Sequence, residues 1–460
     1  MTDNHVSNDP VRHDPHGHKP RTRAAHRSRR WFMNKALLAG GVSAVAVMGG
    51  YVASTASAED ATTGDAAATP SGAPTGGPPA GGGFGQTVAY DDFVGVTTDG
   101  TVVDDLYAIH STGVSTAPVI RAAASFLDSL TADQKEATLF DVDADQWLDW
   151  TNVDSNDRDG VALRDLSAKS RAAGMRLLKA SLSARGLKQA TGIRRLNQFL
   201  GEYSGDTSKA LNEDAYWFTV MGTPSATGAW GFQFEGHHLV INYFVLGDQV
   251  VMTPTFMGSE PTKITYDGVH YHLFKEETAA GLKLFRALNG SQRAAALSSD
   301  AKSGTDMVAG AGQDNATIPY TGVPGGDLTR RQQKLLVDLV EVYVGNMAEG
   351  HARVKMREVE KHLDDTYFYW IGPYEDDSAF YYRVHSPVVL IEYDAESALA
   401  YHGDRSTASA TASATASASP GPGGGPQGEA TQQHIHTVIR TPNGNDYGVD
   451  LLKLHRDTDH

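Results

Sequence analysis

Two stretches of this chain carry residues whose types and spacing could do chemistry. The first, Trp230–Phe256, reads WGFQFEGHHLVINYFVLGDQVVMTPTF and contains Glu235, His237 and His238. The second, Gln433–Arg440, contains His434 and His436. Side chains alternate along an extended strand, so His434, His436 and Arg440 face one way and Ile435 and Ile439 the other. Two imidazoles at i and i+2 therefore project from one spot on one face, which is the strand geometry of a shared metal. With His237 or His238 and Glu235 they supply the three or four nitrogen and oxygen ligands that zinc, iron or manganese accept. His385, just before Ser386-Pro387, is a further candidate ligand. Glu235 and Arg440 are the candidate catalytic residues. A carboxylate beside two histidines can act as a general base on a water activated by the metal; it can equally be a salt-bridge partner for Arg383 or Arg440.

The same residues also support a plain structural reading, because a His-X-His pair on a half-exposed strand is often only a solvated or hydrogen-bonded face. His270 and His272 have that spacing beside an ordinary turn, and they are expected to bind nothing. The standard signatures are absent: there is no H-E-x-x-H, no P-loop, no G-x-G-x-x-G opening a helix and no G-x-S-x-G elbow.

The elements that must position these residues can be read in part. A strand from Trp230 to Leu246 would far exceed the usual length of roughly five to six residues. Gly236 is the natural place for a bend or bulge, which would put both histidines beside a kink. Phe232 and Phe234 then face one side, and Gln233, Glu235 and His237 the other. Leu246–Gln249 reads as a hairpin turn centred on Gly247-Asp248. Strands are also expected at Tyr216–Met221, Thr366–Trp370, Phe380–His385, Val388–Tyr393 and Gln433–Arg440. Helices are expected after Thr131, with Gln134 completing a capping box, and after Ser167, ending before Gly186. GLKQATGIRRLNQFLGEY, Thr278–Leu297, the run after Thr329 with Gln332, and His351–Leu363 are further helices. Runs of helix and runs of strand without strict alternation argue an α+β fold, with a helical N-terminal part packed on a largely antiparallel β-rich part.

Composition narrows the function. The chain has 460 residues, 40% hydrophobic and 20% charged, which is ordinary for a globular protein. It has no cysteine, so disulfides, thiolate metal sites and cysteine nucleophiles are excluded. Residues 1–58 hold eight of the 39 Lys/Arg and three of the 55 Asp/Glu, which leaves 31 and 52 in the rest, a net charge of −21. So acidic a body repels phosphate backbones and anionic lipid, arguing against nucleic-acid binding.

Residues 1–58 read as an export signal. Arg21, Arg23, Arg27, Arg29 and Arg30 precede the apolar stretch Ala36–Ala53, and Ala56-Ser57-Ala58 offers a small-residue cleavage site. Ser28-Arg29-Arg30-Trp31-Phe32-Met33 resembles the twin-arginine signal, whose route exports folded proteins, often with a cofactor already inserted. Retention of Ala36–Ala53 as a membrane anchor is the alternative. Residues 59–86 are an Ala/Pro/Gly/Thr linker too poor in apolar surface to fold. Residues 87–460 form one α+β domain, with a low-complexity insert at 406–430.

Three blocks, TVMGTPSATGAWGFQFEGHHLVINYFV, FYYRVHSPVVLIEYD and HIHTVIRTPNGNDYGVDLLKLH, resemble the bacterial family catalogued as domain of unknown function 3500. The resemblance runs roughly from Phe126 to His455 and implies exported proteins without an established activity. Its blocks contain Glu235, His237, His238, His385, His434 and His436, and leave out His270 and His272. The expectation is an exported protein, secreted or held in the cell envelope, that binds a divalent metal and performs hydrolysis or oxidation on a small-molecule or extracellular substrate, with no nucleic-acid partner and no membrane after signal cleavage. The alternative is a non-catalytic binding or cell-envelope protein with structural histidines.

Overall fold

Alternating apolar and polar residues put two different faces on each long strand, and the tertiary structure buries both. The computed structural model describes residues 89–155, 157–206, 210–403 and 429–458. The signal, the linker and residues 406–428 of the insert lie outside the described residues. Among those described, nine α-helices accompany a mixed sheet of 13 strands, an α+β fold. None of these helices is long and apolar enough to cross a membrane.

The main path of the sheet runs Leu139–Phe140, Tyr216–Gly222, Trp230–Gly236, Leu239–Leu246, Thr255–Ser259, Ala430–Arg440, Leu390–Ser397, Tyr381–His385, Tyr367–Ile371, Leu297–Ser299. Neighbours are antiparallel except at the two ends of this path, where Leu139–Phe140 and Leu297–Ser299 pair in parallel. The C-terminal strand thus enters the middle of the sheet, between Thr255–Ser259 and Leu390–Ser397.

On one face, Phe218, Phe232, Phe234, Ile241 and Tyr382 pack against helices that contribute Phe126, Leu177, Leu196, Phe285 and Leu336. The opposite face carries Val240, Phe244, Phe256 and Val438, covered by Phe93, Trp147, Trp150 and Tyr447 from irregular segments near both ends of the described chain. The capping boxes form at Thr131 with Gln134 and at Thr329 with Gln332. Ser167 caps Ala168–Ser181. Gly186 does not end that helix. It lies inside the next, Ala184–Ser204, where a Cβ would come within 2.9 Å of Asn346 Cα, and its N–H donates to the cap Ser183. The helix read as Thr278–Leu297 is two helices, Lys275–Ala287 and Gly290–Ala296, because Asn289 starts a capping box of its own with Gln292.

Candidate metal centre

The strand Trp230–Gly236 stops at Gly236 and Leu239–Leu246 begins after two intervening residues, so His237 and His238 are the hairpin turn itself rather than neighbours of a bulge. His238 lies in the left-handed region at φ +62°, where a non-glycine residue is held only by its surroundings. Those surroundings are visible: its N–H donates to the Asn152 carbonyl at 3.1 Å, and its carbonyl accepts from Gly258 N–H at 2.7 Å. Tyr216 Oη donates to the His237 carbonyl at 2.8 Å.

Gly258 links the two sequence stretches. It stands opposite His436 in the strand register. A Cβ there would meet His436 Cδ2 at 2.7 Å and His238 Cδ2 at 3.3 Å, so only glycine leaves room for both rings. One nitrogen from each of His238, His434 and His436 then falls within 4.8 Å of the others. All three histidines are buried. The ring of His237 stacks on that of His238 at 3.8 Å.

Hydrogen bonds set the tautomers. His434 Nδ1 is 2.7 Å from the Ser397 carbonyl, an acceptor only, so this nitrogen carries the proton. His436 Nδ1 is 2.9 Å from the Glu396 carboxylate and donates in the same way. Both Nε2 atoms of the neutral rings are therefore lone pairs, yet they face each other at 3.0 Å. Two opposed lone pairs at that distance repel. Either a proton on His436 or a cation between the rings resolves the conflict. A cation also accounts for the third nitrogen, from His238, which a shared proton does not need. Two imidazoles on one tetrahedral ion at about 2.0–2.1 Å would stand about 3.3 Å apart, close to the spacing observed. These three histidines can hold a metal ion.

Electrostatics favour one positive charge here, carried by a proton on His436 or by an ion. Burial pushes His434 below the ordinary histidine pKa, and the charge of His436 adds to this. His238 is depressed by burial and then by its histidine neighbours. Burial works against charge on His436 as well, but Glu396, with Asp394 and Glu260 behind it, outweighs this and raises its pKa. Glu396 would be raised by burial alone, yet His436 draws it below the usual carboxylate range. A carboxylate that holds the outer nitrogen of a ligating histidine is the usual second layer of a metal site.

The other residues expected at the site are placed as follows. His237 is half-buried, and its Nδ1 lies 2.7 Å from Asn197 Oδ1. Asn197 Nδ2 donates to the Ala210 and Asn212 carbonyls, so its oxygen must accept and His237 Nε2 is a lone pair. Burial lowers the pKa of His237 to about 3. Glu235 is buried, but its ion pair is with Arg158 at 3.2 Å, not with Arg383 or Arg440. Arg158 also donates to the carbonyls of Thr151 and Val153, so the pair ties down the loop before it. Arg440 is fully buried and fully engaged, by Asp314, Asp446 and the carbonyls of Ala309 and Gly310. His385 pairs in register with Leu390, which is opposite Arg440, four residues along the strand from His436. It stacks edge-on against Tyr320 and does not join the three. His270 and His272 lie on the separate exposed hairpin Lys263–Tyr266/Val269–His272.

Sequence reasoning missed Glu396, Gly258 and Asn197. Glu396 had a signal, since Glu392, Asp394 and Glu396 alternate on one strand and share the face of the histidines. Gly258 and Asn197 had none, because their roles exist only across the sheet and between layers.

Residues 112–449 match the family described as "Protein of unknown function (DUF3500)". No curated protein and no solved structure matches the chain.

Proposed function

From the premise that this chain belongs to the DUF3500 family of proteins of unknown function, we propose that it is an exported, divalent-metal-dependent enzyme. His238, His434 and His436 are its metal ligands. The observation that carries this reading is the convergence of three buried imidazole nitrogens, two of them facing each other as lone pairs. Three neutral nitrogen ligands suit zinc, iron or manganese and leave coordination positions open. The ion would supply Lewis acidity for hydrolysis, or a redox centre for oxidation. Glu396 and the Ser397 carbonyl orient the two strand histidines. His237 stacks on the His238 ring while Asn197 holds its Nδ1, so in this reading it positions a ligand. Glu235 and Arg440 act in this reading as positioning residues that hold covering loops. The substrate is a small or extracellular molecule. The twin-arginine-like segment at 28–33 supports export, and its route suits a protein that folds around its ion before leaving the cell.

The test is elemental analysis of protein purified without a histidine tag or an immobilised-metal column. About one equivalent of a divalent transition metal is expected. His436→Gln should lower metal content and melting temperature together, because an ion that binds only the native state stabilises it by mass action. Metal-free protein that stays metal-free after reconstitution with zinc, iron and manganese would leave the protonated histidine pair as the correct account.

The burial of all three ligands favours a second reading, a structural ion in a non-catalytic binding or cell-envelope protein. Cobalt substitution separates the two. Azide changes the visible spectrum if a coordination position is open, and leaves it unchanged if the site is closed.

A further inference from the structure

Glu260 is a second buried carboxylate beside the three histidines. It follows the strand Thr255–Ser259 and is 3% exposed. Ser259 pairs with Ile435, and past that pair Thr262 Oγ1 donates to the Gln432 carbonyl at 2.6 Å. Both contacts keep one register, which puts Glu260 across from His434. Gly258, two residues earlier, stands opposite His436. Residues two apart share a face of a strand, so Glu260 shares the face on which the ligand histidines meet.

Its charge has no evident counterpart. Oε1 accepts the N–H groups of Leu399, Ala400 and Tyr401 at 2.8, 2.9 and 2.8 Å, a seat for an anion made of successive backbone donors. Among the described residues no lysine or arginine forms an ion pair with Glu260 or with Glu396, whereas the neighbouring Asp394 pairs with Lys302 at 2.8 Å. Two buried carboxylates thus flank the histidine pair, one from the strand on either side. A buried charge without a counter-charge is costly. A proton on His436 answers Glu396 alone; a divalent ion answers both. Glu260 is also among the charges that favour a proton on His434 and on His436, as expected of a group near both rings.

The same carboxylate secures the segment that orients the ligands. Glu396 and the Ser397 carbonyl hold Nδ1 of His436 and His434, and the three N–H groups seated on Glu260 follow within four residues.

We propose that Glu260 is a positioning residue of the metal centre: its carboxylate is the second counter-charge of a divalent ion held by His238, His434 and His436, and it ties down the segment that orients two of them. This role rests on the metal reading.

The experiment compares the mature full-length protein with Glu260→Gln, each stripped of metal and titrated with zinc against a competing chelator. Zinc is the probe because nitrogen sites bind it more tightly than iron(II) or manganese. Glutamine keeps an oxygen that accepts the three N–H groups and removes only the charge, so the metal-free variant should melt no lower than the metal-free unaltered protein. Its zinc dissociation constant should nevertheless rise about tenfold or more, since charges at such sites interact through an effective dielectric constant of about 20 rather than 80. Glu136→Gln, which removes an exposed charge elsewhere, should leave the constant unchanged. An unchanged constant in Glu260→Gln would overturn the proposal and leave the three ligands in place. So would a loss of affinity matched by a lower metal-free melting temperature, which would make Glu260 a part of the fold alone. Failure of the unaltered protein to take up zinc would remove the metal reading, and this role with it.

Discussion

At the scale of single residues, buried imidazoles divide by what satisfies them. His434 and His436 each have an acceptor at Nδ1 and a rival lone pair at Nε2. His385 is equally buried but neither of its ring nitrogens has a hydrogen-bond partner among the described residues. An unpaired buried polar group costs roughly 1–3 kcal/mol. Burial, and then the charge of Arg383, lowers the His385 pKa from 6.5 to about 3. The unfolded chain therefore takes up a proton near pH 6.5 that the folded chain refuses until about pH 3. The stability this protects is present above pH 6.5 and is lost as pH falls toward 3. His385→Phe keeps the ring and its contact with Tyr320 while removing both unpaired nitrogens. It should be no less stable than the unaltered protein at neutral pH. Its advantage in urea unfolding should widen as pH falls from 6.5 toward 4. A constant difference across that range would mean that His385 has a partner for its proton.

At the scale of elements, the site depends on a turn and a strand crossing that fit only because one residue lacks a side chain. Gly258→Ala removes no ligand, yet its Cβ would sit 2.7 Å from His436 Cδ2 and 3.0 Å from the Ile435 carbonyl. Overpacking of this kind typically costs 1–3 kcal/mol, and here His436 is the group that must move. The variant should fold, by far-UV circular dichroism, with most of its metal lost. Full metal retention would detach His436 from the ion. Strand alternation was legible in the sequence: Phe232 and Phe234 take the helical side, Gln233 and Glu235 the other. Its usual corollary, a solvated polar face, fails here. Gln233 donates to Asn242 at 2.8 Å, and Glu392 accepts from the backbone of Val308 and Ala309, all in the interior. Irregular segments cover that face, and irregular segments have no periodicity by which a sequence could announce them.

At the scale of the whole molecule, the low-complexity insert joins two adjacent antiparallel strands, Leu390–Ser397 and Ala430–Arg440. Loop closure costs only roughly 0.6 kcal/mol per doubling of length. Replacing Ser406–Gln427 with a short Gly/Ser loop should therefore shift the calorimetric melting temperature by no more than a few degrees. A large loss would show that the segment packs. Export is tested on the full chain. Arg29→Lys with Arg30→Lys should trap the protein in the cytoplasm, and the mature form should begin at Glu59. Continued export of the double variant would assign the signal to the general secretory route.

What the sequence determined by itself was local: the helix caps at Thr131, Ser167 and Thr329, the turn at Gly247-Asp248, and the common face of His434 and His436. These depend on residues within a few positions of one another, and side-chain period or backbone conformation suffices to read them. The family-like blocks contained the three histidines that converge, but also His237 and His385, which do not join them. The tertiary structure alone decided which of these histidines meet. About two hundred residues separate His238 from His434, and the register that sets His436 against Gly258 follows from the C-terminal strand entering the middle of the sheet. His385 shares strand type and burial with the others, but four residues of register put it out of reach. Partner choice was settled in the same way. Glu235 was free to pair with any arginine the fold brought near, and packing of the loop before it brought Arg158.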